Sequence, residues 1–502
     1  MRQLFFLYLL AALTGCGVAK STFSPNKKYA PEVLQQDYSI YRQTLEEAHP
    51  GLYWYTSKDS MDFFFEKGRE MLNDSLSEAD FRKVLAYVTA KINCGHTAVR
   101  PSTSFLKYQD TVRVGRVFPL SLKLWQDTAV VAANLNRRDT ILKRGTIITS
   151  INGMPMERIV DTLFSYVGTD GYNRTNKYQV LSNRGFFGSL YSTLFGYPAN
   201  YRIGFIDSLG RSGTVQVRPY LPVADTTARA QAFPRRQMPQ PSRKERKQMR
   251  RNNVRLLKMD TTTHVAMMDL NSFGRGYGLK PFFRRSFKAL RKNNITHLII
   301  DVRGNGGGSV TNSTLLTKFI SDHSFKVADS LYAVKKRKTY SRYIENDFFN
   351  RLFMTLFASK KKDGKYHFKY YERHAFRPKK KNHFNGNTYI LIGGNSFSAT
   401  TLFASAVKDQ QNVTLVGEET GGGAYGNSAW LIPDMTLPNT KVRFRLPLFR
   451  LVIDKNTPKD GKGVQPEISS LPTVDAVRKG IDYKLEKTMQ LINESKMGNA
   501  RQ

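Results

Sequence analysis

The sequence predicts an α/β protein. Two stretches carry that prediction, and both repeat one order: a buried strand, a glycine turn, then a helix. In the first, Leu298-Ile299-Ile300-Asp301-Val302 reads as a buried strand. It runs into Arg303-Gly304-Asn305-Gly306-Gly307-Gly308, and a helical pattern follows from Val310 to Ile320. In the second, Tyr389-Ile390-Leu391-Ile392 precedes Gly393-Gly394-Asn395-Ser396-Phe397-Ser398. Ala399, Leu402, Phe403, Ala406 and Val407 then recur at helical spacing. A third observation extends the pattern: the strand Val413-Thr414-Leu415-Val416 is again followed by glycines, Gly417-Glu418-Glu419-Thr420-Gly421-Gly422-Gly423.

The chain ahead of this core has its own organisation. Its 502 residues suffice for two or three domains. Met1-Arg2 leads into the apolar run Leu4 to Leu13, too short to span a bilayer and typical of an export signal. Leu13-Thr14-Gly15-Cys16 resembles a bacterial lipoprotein cleavage box; residues 1–16 read as the lipoprotein signal segment, which implies cleavage before Cys16 and lipidation of its thiol. The expected address is the cell envelope, anchored by lipid and facing the periplasm or the cell surface. A net charge of +38 and a pI near 10.1 suit anionic surroundings. For an exported chain these are lipid headgroups or envelope polymers, and nucleic acid is not an expected partner. With Cys16 lipidated, Cys94 stands alone and no intramolecular disulfide can form.

Residues 17–30 are polar and read as a tether. Residues 31–105 form a helical region with three amphipathic segments. In the third, Leu76, Phe81, Val84, Leu85, Val88 and Ile92 mark one face, and Ser77 with Asp80 marks a capped start. It ends in Asn93-Cys94-Gly95-His96-Thr97. Residues 106–222 change to short strands: Phe118 to Leu124 alternates, and Gly145 to Gly153 precedes a helix near Met156 to Val167. That order resembles a PDZ domain, which binds peptides by strand addition. Residues 223–257, rich in proline and basic charge, read as a flexible linker. Residues 258–480 hold the α/β core, with a Lys-, Arg-, Tyr- and Phe-rich insertion over 321–385. Residues 481–502 form a tail.

Ser398 falls where a strand gives way to a helix. A serine there caps the helix, or it serves as a nucleophile beside unpaired N–H groups that favour developing negative charge. Three consecutive glycines, Gly306 to Gly308, leave backbone N–H groups free to face a ligand. No Gly-Lys-Ser/Thr follows them, so this is not a phosphate-binding loop. The eight histidines are scattered without metal-ligand spacing, and no cofactor is expected.

Taken together, Leu298 to Gly308, Gly394 to Asp409, Gly417 to Gly423 and Gly461 to Glu467 resemble the C-terminal processing peptidase family. Its serine peptidases include tail-specific protease and tricorn protease, with interphotoreceptor retinoid-binding protein as a relative. The resemblance implies a crotonase/Clp-protease-like core of repeated ββα units and polypeptide substrates. It places the nucleophile at Ser398. The lysine base of the processing branch falls on Gly423, which has no side chain. Gly95-His96-Thr97 instead matches the tricorn-like motif, which implies His96 as base. Asp460 matches that branch's carboxylate, with Glu418 and Glu419 as rivals. Gly306 or Gly307 with Ala399 would form the oxyanion hole. The activity so implied is that of a lipid-anchored serine endopeptidase. The alternative is a peptide- or lipophile-binding protein on the same fold.

Overall fold

A run such as Leu298 to Ile300 can be buried at every residue only in a sheet covered on both faces. The computed structural model describes residues 23–112, 115–222 and 241–499, and it shows that sheet together with two regions packed around it. The leader, Cys16 and residues 223–240 lie outside the described residues.

The described chain begins with three helices, α1 (Pro31–Ala48), α2 (Lys58–Glu70) and α3 (Glu78–Lys91). Ser57 and Ser77 cap α2 and α3 by accepting from the N–H of Ser60 and Asp80. Their inward residues, among them Tyr41, Leu45, Phe65 and Phe81, share one core with Met435, Phe444 and Phe449. Tyr41 meets Phe444 edge to face at 5.0 Å. Beyond α3, Val99 and Arg100 pair antiparallel with Phe444 and Arg443. The segment bearing His96 is thus fastened at both ends.

The next unit is an antiparallel sheet of β1 (Leu120–Trp125), β2 (Thr128–Asn134), β3 (Ile147–Ile151), β4 (Tyr201–Ile206) and β5 (Ser212–Val217), in that order. Between β3 and β4 run α4 (Met156–Phe164) and α5 (Arg174–Ser182). Leu120, Leu122 and Leu124 face a core that also takes Ile159 and Leu163 of α4. The expected alternation along β1 is the one observed, buried at every second residue.

Residues 241–257, read as linker from composition, are ordered differently. Ser242 and Glu245 form a reciprocal capping box that starts a helix over Arg243–Asn252. None of its residues is buried, so composition alone did not distinguish it from a solvated loop. The strand β6 (Arg255–Asp260) follows and already belongs to the central sheet.

That sheet continues through β7 (Val265–Leu270), helix α6 (Leu279–Lys292), β8 (His297–Asp301), helix α7 (Val310–Ile320), and a second sheet's strand β9 (Ser330–Ala333). Helix α8 (Asp347–Phe357), β10 (Asn387–Ile392), helix α9 (Ala399–Val407), β11 (Val413–Gly417), β12 (Gly426–Ala429), β13 (Phe449–Val452), β14 (Ile468–Ser469) and helix α10 (Tyr483–Asn499) complete the chain. The central order is β6-β7-β8-β10-β11-β14; only β6 is antiparallel to its neighbour. Met268, Ile300, Ile390 and Leu415 lie in register across four strands, and none has exposed surface. They face α6, α7 and α9, where Phe287 and Phe319 stack at 4.4 Å. On the opposite face Ile299, Leu391 and Val416 pack against Ile492 of α10. The α/β class follows directly: parallel strands, each buried on both sides, with helices as the covers.

Candidate active site

The parallel strands β8, β10 and β11 end at one edge, and their loops meet there. This is where open parallel sheets place ligands. The loops are joined by backbone groups. Phe397 N–H donates to Asn305 O at 3.1 Å, and Gly421 N–H donates to Ser396 O at 2.9 Å. Ser396 Oγ is buried and donates to Val302 O at 2.8 Å. Ser396 therefore fixes the turn and has no free hydroxyl to react.

Ser398 is set differently. Its φ of 57° and ψ of −119° lie outside the regions that non-glycine residues ordinarily occupy. It stands at the N-cap of α9, yet its side chain makes no capping hydrogen bond. Of the two roles open to a serine here, capping is not the one it takes. Backbone strain of this kind persists only where surrounding contacts enforce it, and it concentrates at reactive sites. Gly307, with φ of +95°, lies against this residue. A Cβ on Gly307 would lie 2.6 Å from Phe397 O, 2.8 Å from Ser398 Cβ and 2.9 Å from Ala399 N.

The glycine loop is more specific than its sequence indicated. Gly307 N–H donates to Asn305 Oδ1 at 3.0 Å, which takes it out of the set of free donors. Gly306 is exposed and does not line the cavity beside Ser398. Gly308 does line it, and its N–H has no acceptor among the described residues. The N–H of Ala399, first residue of α9, is likewise unpaired there. The cavity has a volume of about 570 Å³. Phe353, Phe368, Tyr371, Trp430 and Leu431 make its walls, so an apolar side chain can be received next to Ser398.

His96 lies against this turn. Its ring centroid is 4.8 Å from that of Phe397, the residue before Ser398. It is buried, and neither ring nitrogen has a hydrogen-bond partner among the described residues. The carboxylate facing it is Asp170, from the loop between α4 and α5, with Oδ1 3.8 Å from His96 Nδ1. Asp170 is 1% exposed and is oriented by Gly95 N–H, which donates to Oδ1 at 2.9 Å. Gly171 N–H donates to Asn93 O, tying the two loops together. Burial opposes charge on His96, but Asp170 and Cys94 outweigh it and push the imidazole up to about 9. For Cys94 burial acts upward, while His49 and His96 draw the thiol down to about 5.

Cys94, His96 and Asp170 offer ligand atoms all within 4.8 Å of one another, a donor set that could hold a metal ion. Arg450 argues against a cation there. Its guanidinium is buried, stacks on Trp54 at 3.5 Å and interacts electrostatically with both Asp170 and Cys94. The cluster is a set of coupled ionisable groups compensated by the arginine.

Asp460 does not join it. Its carboxylate is 45% exposed, accepts from Lys462 N–H at 3.0 Å and lies 3.6 Å from Lys462 Nζ. It stabilises its own turn, and Gly461 of that turn packs on Gly171 and Tyr172. Glu418 is bound to buried Lys484 at 2.6 Å, and Glu419 accepts from Thr175 and Gly463. All three carboxylates are engaged structurally, and Asp170 is the one beside His96. Position 423 bears on the same pocket: a Cβ on Gly423 would come 3.7 Å from Asp170 Cβ.

Residues 264–470 match the model of peptidase family S41. No curated protein matches the chain by sequence. Among solved structures, mature CPAF complexed with lactacystin superposes with a TM-score of 0.64 at 15% identity, covering 92% of this chain and 99% of the other. Mature CPAF alone gives 0.63 at 15% identity, with 92% and 98% covered. The tricorn protease gives 0.39 at 15% identity, with 92% of this chain and 37% of the other covered. At such identities the likeness to CPAF is one of fold, and it extends over nearly the whole of both chains. The chain thus carries a segment, residues 264–470, that is similar to peptidase family S41, and its activity is that of a serine-type peptidase.

Proposed function

We propose that the protein is an endopeptidase in which Ser398 attacks the peptide carbonyl, His96 is the general base and Asp170 orients His96. Ser398 Oγ forms the bond to carbon while His96 takes the hydroxyl proton. His96 then returns that proton to the leaving amine, and water hydrolyses the acyl-enzyme by the same route. Gly308 and Ala399 N–H groups stabilise the oxyanion. The observation that carries the reading is the uncapped Ser398, held at positive φ directly after Phe397, the residue whose ring packs on the buried His96, with Asp170 facing that imidazole. Catalytic hydrogen bonds of this kind commonly tighten only when substrate is bound.

The test compares single variants with one polypeptide substrate. Ser398→Ala and His96→Ala are expected to lose several orders of magnitude in kcat, as triad members do. Asp170→Asn should lose about a hundredfold or more, while Asp460→Asn should stay within about threefold of wild type. Equal losses for the two aspartates, or none for Asp170→Asn, would reject this assignment.

The export signal and Cys16 support an envelope address with a lipid anchor, and the excess of basic residues suits anionic lipid or polymer nearby. Mass spectrometry of the mature protein should find a lipidated Cys16 at its N-terminus. An unmodified cysteine, or a start elsewhere, would exclude the anchor.

A further inference from the structure

Helix α8 has two faces of different kinds. Its inner residues Asn350 and Met354 are buried, and Phe353 reaches the cavity beside Ser398. Its outer face is also apolar. Phe348, Phe349 and Leu356 are 65%, 65% and 66% exposed, and Leu352 and Phe357 are exposed as well. Single exposed apolar residues are ordinary, but five on one short helix form a patch.

The surroundings of this patch are cationic. Residues 335 to 381 hold sixteen Lys and Arg against four Asp and Glu. An open cavity of about 590 Å³ beside the helix is lined by Lys335, Lys336, Arg337 and Arg351 together with Phe348 and Leu352. Lys335 is paired with Glu47, and Arg351 with Asp347. Lys336 and Arg337 have no carboxylate partner among the described residues. Cations and apolar side chains thus share one surface, with two charges left over.

We propose that α8 is an interfacial helix that rests on an anionic bilayer, its outer phenylalanines and leucines entering the acyl boundary while Lys336 and Arg337 engage lipid phosphates. Both halves of the surface are then satisfied, which is the arrangement of amphipathic helices that lie in a membrane plane. A second copy of the chain would cover the apolar residues but would bring two strongly basic segments together. A neutral protein partner would leave the two cations unmatched. The inner face of the same helix lines the Ser398 cavity, so docking would set the substrate site close to the membrane surface.

The test uses the full chain carrying Phe349→Trp, with wild type subtracted to remove Trp54, Trp125 and Trp430. Emission is read against vesicles with brominated acyl chains, either phosphatidylglycerol or phosphatidylcholine. The expected result is quenching by phosphatidylglycerol vesicles that falls as salt is raised. Adding Lys336→Glu and Arg337→Glu should weaken the partitioning behind it by about tenfold or more. Because the reporter sits on α8, attachment through the N-terminus does not by itself produce the signal. Absence of quenching, equal quenching by phosphatidylcholine, or insensitivity to the charge reversals would overturn the proposal. So would a blue shift that appears without vesicles and grows with protein concentration, since that would identify a second copy as the occupant.

Discussion

A histidine that must accept a proton is useless while it already carries one. Asp170 and Cys94 raise His96 to about 9, so the imidazolium predominates at neutral pH. The neutral form grows as pH rises through that value, and kcat/KM should climb with it. An unperturbed imidazole would instead place the rise between about pH 6 and 7. A pH–rate profile decides, and Cys94→Ala should move the rise toward lower pH because one of the two raising partners is gone. A profile already flat above pH 7 would show that His96 is not the base or not so held. At this scale Ser398 and His96 were legible as candidates, because each sits in a short local motif. Asp170 was not. It lies 75 residues from Gly95 in a loop of another unit, and only folding brings its carboxylate to the imidazole. Asp460 had the right sequence neighbourhood, but its turn directs the carboxylate to Lys462 and solvent.

Among the elements, the two glycine loops do what strand ends in parallel sheets permit, and Gly307 is the glycine that abuts Ser398. Alanine there would have to hold a positive φ and would meet Phe397 O and Ser398 Cβ. Such strain costs about 1–3 kcal/mol, and relief by shifting Ser398 would misplace the nucleophile. Gly307→Ala should therefore slow labelling by a serine-directed probe by about tenfold to hundredfold, with the far-ultraviolet circular dichroism unchanged. An unaltered labelling rate would mean that the loop does not enforce the nucleophile's geometry. The central strands were readable because unbroken apolar runs such as Leu298 to Ile300 have few other uses in a chain of this composition. The helix over Arg243–Asn252 was not, since its exposed, basic residues carry no apolar period and only the Ser242–Glu245 box marks it.

For the molecule as a whole, the proposed site is a junction. Ser398 comes from the central sheet, His96 from the N-terminal helical region and Asp170 from the antiparallel β unit. The shared core of Tyr41 and Leu45 with Phe444 and Phe449 holds the first two together, and the Gly171–Asn93 bond adds the third. That loops of these regions meet around His96 and Phe397 is a property of packing that no local pattern encodes. The measurement that tests this account most directly is covalent capture by a fluorophosphonate probe at about pH 9, where His96 begins to be neutral, followed by peptide mapping of the adduct. The account predicts one modified residue, Ser398, with labelling abolished in Ser398→Ala and strongly slowed in both His96→Ala and Asp170→Asn. An adduct on another serine, or full-rate labelling of His96→Ala, would contradict it.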